Sequence, residues 1–98
     1  MTPRNTPRLG IAIPQVAVGD APARRLARFI ETAESAGFDG LWVQEDILTG
    51  RGTLEPLSLL TFAAGLTRTI PLGVATLLTP VRNAVQLAKS LATIDRGV

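Results

Sequence analysis

Gly37-Phe38-Asp39-Gly40-Leu41-Trp42-Val43-Gln44-Glu45-Asp46 reads as a helix stop, a buried strand and an acidic strand end in ten consecutive residues. A glycine that closes an apolar helical stripe takes the left-handed C-cap conformation, and an apolar residue after it covers the last turn, so Gly37 and Phe38 mark where a helix ends. Gly40 to Gln44 is continuously apolar up to its final residue, the pattern of a parallel strand covered on both faces. Glu45 and Asp46 stand at the end of that strand. Adjacent residues on a strand point to opposite faces, so the two carboxylates do not share one task.

The same alternation appears on either side. Leu9-Gly10-Ile11-Ala12-Ile13 is a strand ended by Pro14, and a helix follows with Asp20 as its expected N-cap. In that helix Leu26, Phe29, Ile30 and Ala33 recur at i, i+3, i+4 and i+7, which makes one buried stripe. Beyond the quoted stretch, Ile47 to Glu55 holds Gly50, Gly52 and Thr53 and reads as an exposed loop. Pro56 suits the first turn of a second helix with Leu57, Leu60 and Ala64 on one side. Ile70 to Leu78 is the third strand, Thr79-Pro80 breaks it, and Asn83 caps a third helix with the face Val85, Ala88, Leu91 and Ala92.

Strand starts near Arg8, Asp39 and Ile70 are separated by about the length of a strand and its crossover helix. The order β-α-β-α-β-α makes a parallel sheet and leaves open a doubly wound sheet or part of a (β/α)8 barrel. A dinucleotide-binding sheet wants Gly-x-Gly-x-x-Gly after its first strand, where Pro14 to Asp20 supplies only Gly19. A response-regulator sheet wants an acidic cluster there, where Pro14-Gln15-Val16 stands. The α/β class with three consecutive βα units of a (β/α)8 barrel is therefore favoured. A whole barrel has eight strands and about 250 residues, so these 98 residues are expected to be a partial barrel with bare apolar edges at the first and third strands. Residues 1–8 read as a polar, disordered tail and residues 9–98 as the partial barrel domain.

Composition narrows the chemistry. With 46% apolar and 18% charged residues the chain is globular, and its net charge of +2 is spread along it, with Arg24, Arg25 and Arg28 the one cluster. That cluster reads as a solvated helix face, so no nucleic-acid partner is expected. The chain contains neither cysteine nor histidine, so thiolate or imidazole catalysis and their metal sites are excluded. Residues Met1 to Arg8 lack the apolar run of a secretory signal, and Ile70 to Leu78 is far short of a membrane span. A cytoplasmic protein without a membrane role is the expectation.

Several residues have a plain structural reading beside a functional one. Glu45 and Asp46 either contact a ligand at the top of the strand or cap the loop and pair with an arginine such as Arg51 or Arg82. Trp42 and Ile13 either line a pocket or are plain core, the commoner place for such residues in an apolar strand. Gln15, just past the first strand, needs no ligand to explain it. Gly50-Arg51-Gly52 is too short for a phosphate loop. Arg82 and Asn83 at the start of the third helix fit either an anion site or a cap with a solvated cation.

Taken together, Gly37-Phe38-Asp39-Gly40-Leu41-Trp42-Val43, then Leu72-Gly73-Val74-Ala75, Thr79-Pro80-Val81-Arg82-Asn83 and Leu87-Ala88-Lys89-Ser90-Leu91-Ala92-Thr93-Ile94-Asp95 resemble the N-terminal part of the bacterial luciferase-like monooxygenases, a superfamily that includes deazaflavin-dependent reductases and dehydrogenases. The likeness runs from about Arg8 to Arg96. In the family the chain continues into a Ser-Gly-Gly-Arg turn and a fourth strand, which this sequence does not contain.

The resemblance implies a (β/α)8 barrel that binds FMN or a deazaflavin coenzyme (F420) at the carboxyl ends of its strands, acts on a small organic substrate and assembles as a homo-oligomer. Family members usually place an acidic residue and then histidine at the second strand's end. Here Glu45 keeps the acidic position and Asp46 replaces the histidine, which makes Asp46 the catalytic candidate and puts histidine-type acid/base chemistry in doubt. The family often has a non-proline cis peptide in the third strand, by position Ala75-Thr76. Ile13, Ala75, Thr76 and Thr79 are the cofactor-binding candidates.

Overall fold

The computed structural model describes residues 7–16, 19–45, 53–77 and 82–96. They form β1 (Gly10–Ala12), α1 (Pro22–Ser35), β2 (Gly40–Val43), α2 (Pro56–Leu66), β3 (Leu72–Val74) and α3 (Ala84–Asp95). The strands make one parallel sheet in the order β1-β2-β3, so each βα unit sets its strand beside the previous one. This is the open three-unit βα array expected of part of a (β/α)8 barrel.

Each element ends for a reason visible in its residues. Helix α1 closes on Gly37 at φ 85, with the Gly37 amide donating to the Glu34 carbonyl and the Phe38 amide to the Ala33 carbonyl. That pair of bonds is the Schellman arrangement, and it satisfies carbonyls the helix leaves unpaired. The opposite end departs from expectation. Ala21, not Asp20, is the N-cap, in the left-handed region at φ 51 and without a side-chain cap bond. Pro22 at the first helical position has its φ preset for the helix and lacks the N–H a cap would serve, so it fixes the start one residue later. Helix α2 starts at Pro56, with the Glu55 carboxylate accepting from the Leu57 and Ser58 amides at 2.9 and 3.0 Å. Helix α3 starts after Asn83, whose Oδ1 accepts from Val85 and Gln86 at 3.0 and 3.1 Å.

The core lies on one face of the sheet. Leu41 and Val43 of β2, with Ile13 beyond β1, meet Leu26, Ile30 and Ala33 of α1 and Leu57, Leu59, Leu60 and Ala63 of α2. Helix α2 packs against α1, α3, β2 and β3 and is the central support. Helix α3 is only half docked. Leu87 and Ile94 pack on the core, whereas Val85 and Leu91 are 79% and 41% exposed, so the expected inward face of Val85, Ala88, Leu91 and Ala92 is turned outward. Among the described residues its main packing partner is α2, and Leu87 and Ile94 are the side chains that reach the core.

The other sheet face is not covered within the described residues, which corrects the two-sided burial expected for β2. Trp42 lies on it, 44% exposed rather than in the core. Its indole spans the sheet: the side towards β1 sits over Gly10 and Gly40, and the six-membered ring sits over Gly73. A Cβ at Gly73 would fall 2.7 Å from Cε3 and 2.9 Å from Cη2, and one at Gly10 2.7 Å from Cδ1, far inside contact distance. Glycines in strand interiors weaken a strand unless something approaches closely, and here the indole does.

The third strand is shorter than the expected Ile70 to Leu78. Regular pairing spans Leu72–Val74, although the Ala75 amide still donates to the Val43 carbonyl at 2.9 Å and the Thr76 carbonyl accepts from Glu45 at 3.2 Å. The Ala75–Thr76 peptide bond is cis, at the position the resemblance indicated. Among the described residues no helix is long and apolar enough to cross a membrane.

Candidate functional site at the carboxyl end of the sheet

The carboxyl ends of the three strands bring together Gln15, Gln44, Glu45, Ala75 and Thr76, with Glu55 and Arg82 from the starts of the flanking helices. Ala75 and Thr76 are exposed there, immediately beyond β3. Ile13 is not: it is 3% exposed in the helix-side core, and its amide donates to the Trp42 carbonyl at 2.9 Å. Asp46 and Thr79, like the Gly50-Arg51-Gly52 segment, lie outside the described residues. The structure thus brings two of the five sequence-derived candidates, Ala75 and Thr76, to one exposed strand end, and leaves Ile13 buried beyond β1, on the far side of β2.

Glu45 takes the structural one of its two readings. Its side chain is 0% exposed and is gripped by Arg82, with Nη2 at 2.6 Å from Oε2 and 2.9 Å from Oε1, and Nε at 3.2 Å from Oε1. Arg82 Nη2 also donates to Glu55 Oε2 at 2.9 Å. The Arg82 guanidinium is held still more firmly protonated than usual, chiefly by its hydrogen bonds to Glu45, against the opposing effect of burial and with help from Glu55. Arg82 is thus largely buried and paired with two carboxylates, which differs both from the anion site and from the solvated cation that its place before a helix allowed. Asn83 is the cap, as expected.

Glu55 links this pair to α2. Burial pushes its carboxyl up, but the Leu57 amide, the Ser58 hydroxyl, Arg82 and the Ser58 amide together outweigh burial and hold it below the usual carboxylate range. The same carboxylate therefore caps α2 and receives Arg82.

Gln15 fastens the other side. Its amide group donates to the Gln44 carbonyl at 2.7 Å and the Leu54 carbonyl at 3.2 Å, while its Oε1 accepts from the Gln44 amide at 2.7 Å. Its own carbonyl accepts from Leu54 at 2.7 Å. Gln15 thus ties the ends of β1 and β2 to the approach to α2. Sequence reasoning missed this role, because a lone glutamine after a proline carries no spacing signal.

At the opposite end of the sheet Glu34 does comparable work. One carboxylate oxygen accepts from the Arg68, Thr69 and Ile70 amides at 2.8, 2.8 and 3.1 Å. These bonds, led by the one from Thr69, hold its carboxyl below the ordinary range. An acid in the last turn of a helix opposes the helix dipole, and that misplaced charge was the available sign that Glu34 has a partner. No group of carboxylates among the described residues is arranged to hold a metal.

An exposed backbone corner and hydroxyl at the carboxyl end of a parallel strand can accommodate the edge of a planar heterocycle, and such folds place their chemistry at this end. Ala75 has no bulk to block such an approach, and Thr76 adds a donor–acceptor hydroxyl, so the residues present fit a flavin-type ring.

Comparison with curated proteins gives no significant match. The family model for luciferase-like monooxygenases matches residues 5–97, taking in every strand, every helix and the carboxyl-end residues described above. The chain belongs to the luciferase-like monooxygenase family.

Proposed function

We propose that this chain supplies the first three βα units of a flavin- or deazaflavin-dependent oxidoreductase, binding FMN or deazaflavin F420 at the carboxyl ends of its strands. The observation that carries the reading is the exposed Ala75–Thr76 corner at the end of β3, hydrogen-bonded through the Thr76 carbonyl to the end of β2. When bound, the cofactor supplies the electron and hydride chemistry, and the protein's part is to position it. Ala75 and Thr76 border the ring, and Thr79 follows them towards the third helix. Ile13 supports the sheet from the core side. Asp46, one residue past the clasped Glu45, is the acid/base candidate towards a small organic substrate. Fluorescence titration of the purified chain with FMN and with F420 tests the reading, and failure to bind either sinks it.

A second reading is favoured by the uncovered sheet face beneath Trp42 and the outward Val85 and Leu91. In it the chain is a non-catalytic barrel segment that works by self-association or by docking to a partner. Light scattering separates the two, since a stable folded monomer contradicts the second.

A further inference from the structure

We infer that Arg82 is the positioning residue of this site: it acts through Glu45 to fix the Thr76 end of β3, and it locks that end to the starts of α2 and α3. The inference rests on the flavin-site reading for its functional consequence and on the hydrogen-bond geometry for its structural one. A continuous chain of contacts carries it. The Thr76 carbonyl accepts the Glu45 amide at 3.2 Å. The Glu45 carboxylate, without solvent exposure, accepts Arg82 at both oxygens. The same guanidinium reaches Glu55 at 2.9 Å, and Glu55 caps α2 through the Leu57 and Ser58 amides. Arg82 itself precedes Asn83, the cap of α3.

The chemistry suits arginine and not lysine. A planar guanidinium presents donors in a fixed fork and can serve two carboxylates at once, whereas an ammonium is a point charge without that directionality. Glu45 and Glu55 stand at the two ends of the β2–α2 connection; the Nε–Nη2 edge of the guanidinium grips Glu45 while the same Nη2 reaches Glu55, so one planar group ties the two ends together. Arg82 does not touch the proposed cofactor. It sets where the backbone that borders the cofactor lies.

The test uses the full chain in three forms: wild type, Arg82→Lys, and the double variant Glu45→Gln/Arg82→Met. The double variant avoids leaving a buried carboxylate unpaired and so keeps the fold. Amide hydrogen exchange is read at Glu45, bonded to Thr76 at the carboxyl end, and at Leu41, bonded to Pro71 at the opposite end of the same strand pair. The expected result is Glu45 exchange at least about tenfold faster in the double variant with Leu41 unchanged, tenfold being the smallest factor expected when a charge-assisted contact is lost, and an intermediate rate in Arg82→Lys. FMN and F420 affinities are expected to weaken in the same order. Equal acceleration at Glu45 and Leu41, or none at either, overturns the inference, because Arg82 would then serve global stability alone. Unchanged cofactor affinity in a double variant whose Glu45 is deprotected removes its functional part. A wild type that binds neither cofactor, with the exchange pattern as expected, refutes the flavin reading and leaves the clasp standing.

Discussion

Gly73→Ala tests whether the indole of Trp42 is what requires glycine on the open sheet face. The added Cβ would lie 2.7 Å from Cε3 and 2.9 Å from Cη2, against an ordinary carbon–carbon separation of about 3.5–4.0 Å. The ring has to move by about 1 Å or more, and it cannot slide along the sheet because its other edge rests on Gly10 and Gly40. It must lift. A packed tryptophan buries about 150–250 Å², and Trp42, 44% exposed, keeps only part of that against the sheet; losing about 50–100 Å² at about 25 cal/mol per Å² costs about 1–2.5 kcal/mol. Opposing this, a glycine replaced by alanine at a compatible site stabilises by about 0.4–1 kcal/mol through the unfolded chain. The sign of the result therefore discriminates. In urea unfolding followed by circular dichroism, Gly73→Ala is expected to be destabilising in wild type and neutral or stabilising in a Trp42→Ala background. Because Trp42 is the single tryptophan, its emission should also shift to the red in Gly73→Ala as the ring lifts. A stabilising Gly73→Ala in wild type, or the same effect in both backgrounds, refutes the packing account, since a double-mutant cycle would then show no coupling.

Gly65 lies in α2 with open space where a Cβ would stand, so Gly65→Ala should raise stability by about 0.5–1 kcal/mol in the same unfolding experiment. Asn83→Ala removes the cap of a half-docked helix and should lower stability by about 1 kcal/mol, with helical circular dichroism falling first. The Glu34 carboxyl is held below its ordinary value of 4.5, so its contribution is complete above about pH 4.5 and is lost as pH falls through the lower folded-state value. Glu55 acts with the same sign. Unfolding midpoints from neutral to acid pH should show Glu34→Gln less stable at neutral pH with a shallower decline in acid; an unchanged slope would remove Glu34 from the account.

The order of elements was legible in the residues because short-range physics writes it. The α1 stripe of Leu26, Ile30 and Ala33 follows from helical period, the stop at Gly37 from the left-handed conformation that glycine accepts freely, and the Asn83 cap from a side chain that reaches the helix's first amides. The position of the cis peptide was legible only through resemblance. Local signals failed where two good candidates competed, as at Asp20 and Ala21, where the fixed ring of Pro22 decided the start of α1.

What the sequence could not decide was which distant groups meet. An apolar strand announces burial but not how much cover each face receives, so Trp42 read as core until the sheet left one face open and the indole lay across Gly10 and Gly73. Glu45 and Arg82 are 37 residues apart, so the sequence could name Arg82 beside Arg51 as a possible partner of the acidic strand end but could not choose it over a ligand contact. Glu34 and the amides of Arg68 to Ile70 are equally remote in the chain. Spacing along the chain determined the order of strands and helices and the caps at Gly37 and Asn83, since these depend on neighbours within a few residues. The tertiary structure alone decided which carboxylates are clasped and which strand end is left exposed, because a charge takes its partner from whatever the folded backbone sets within hydrogen-bond distance.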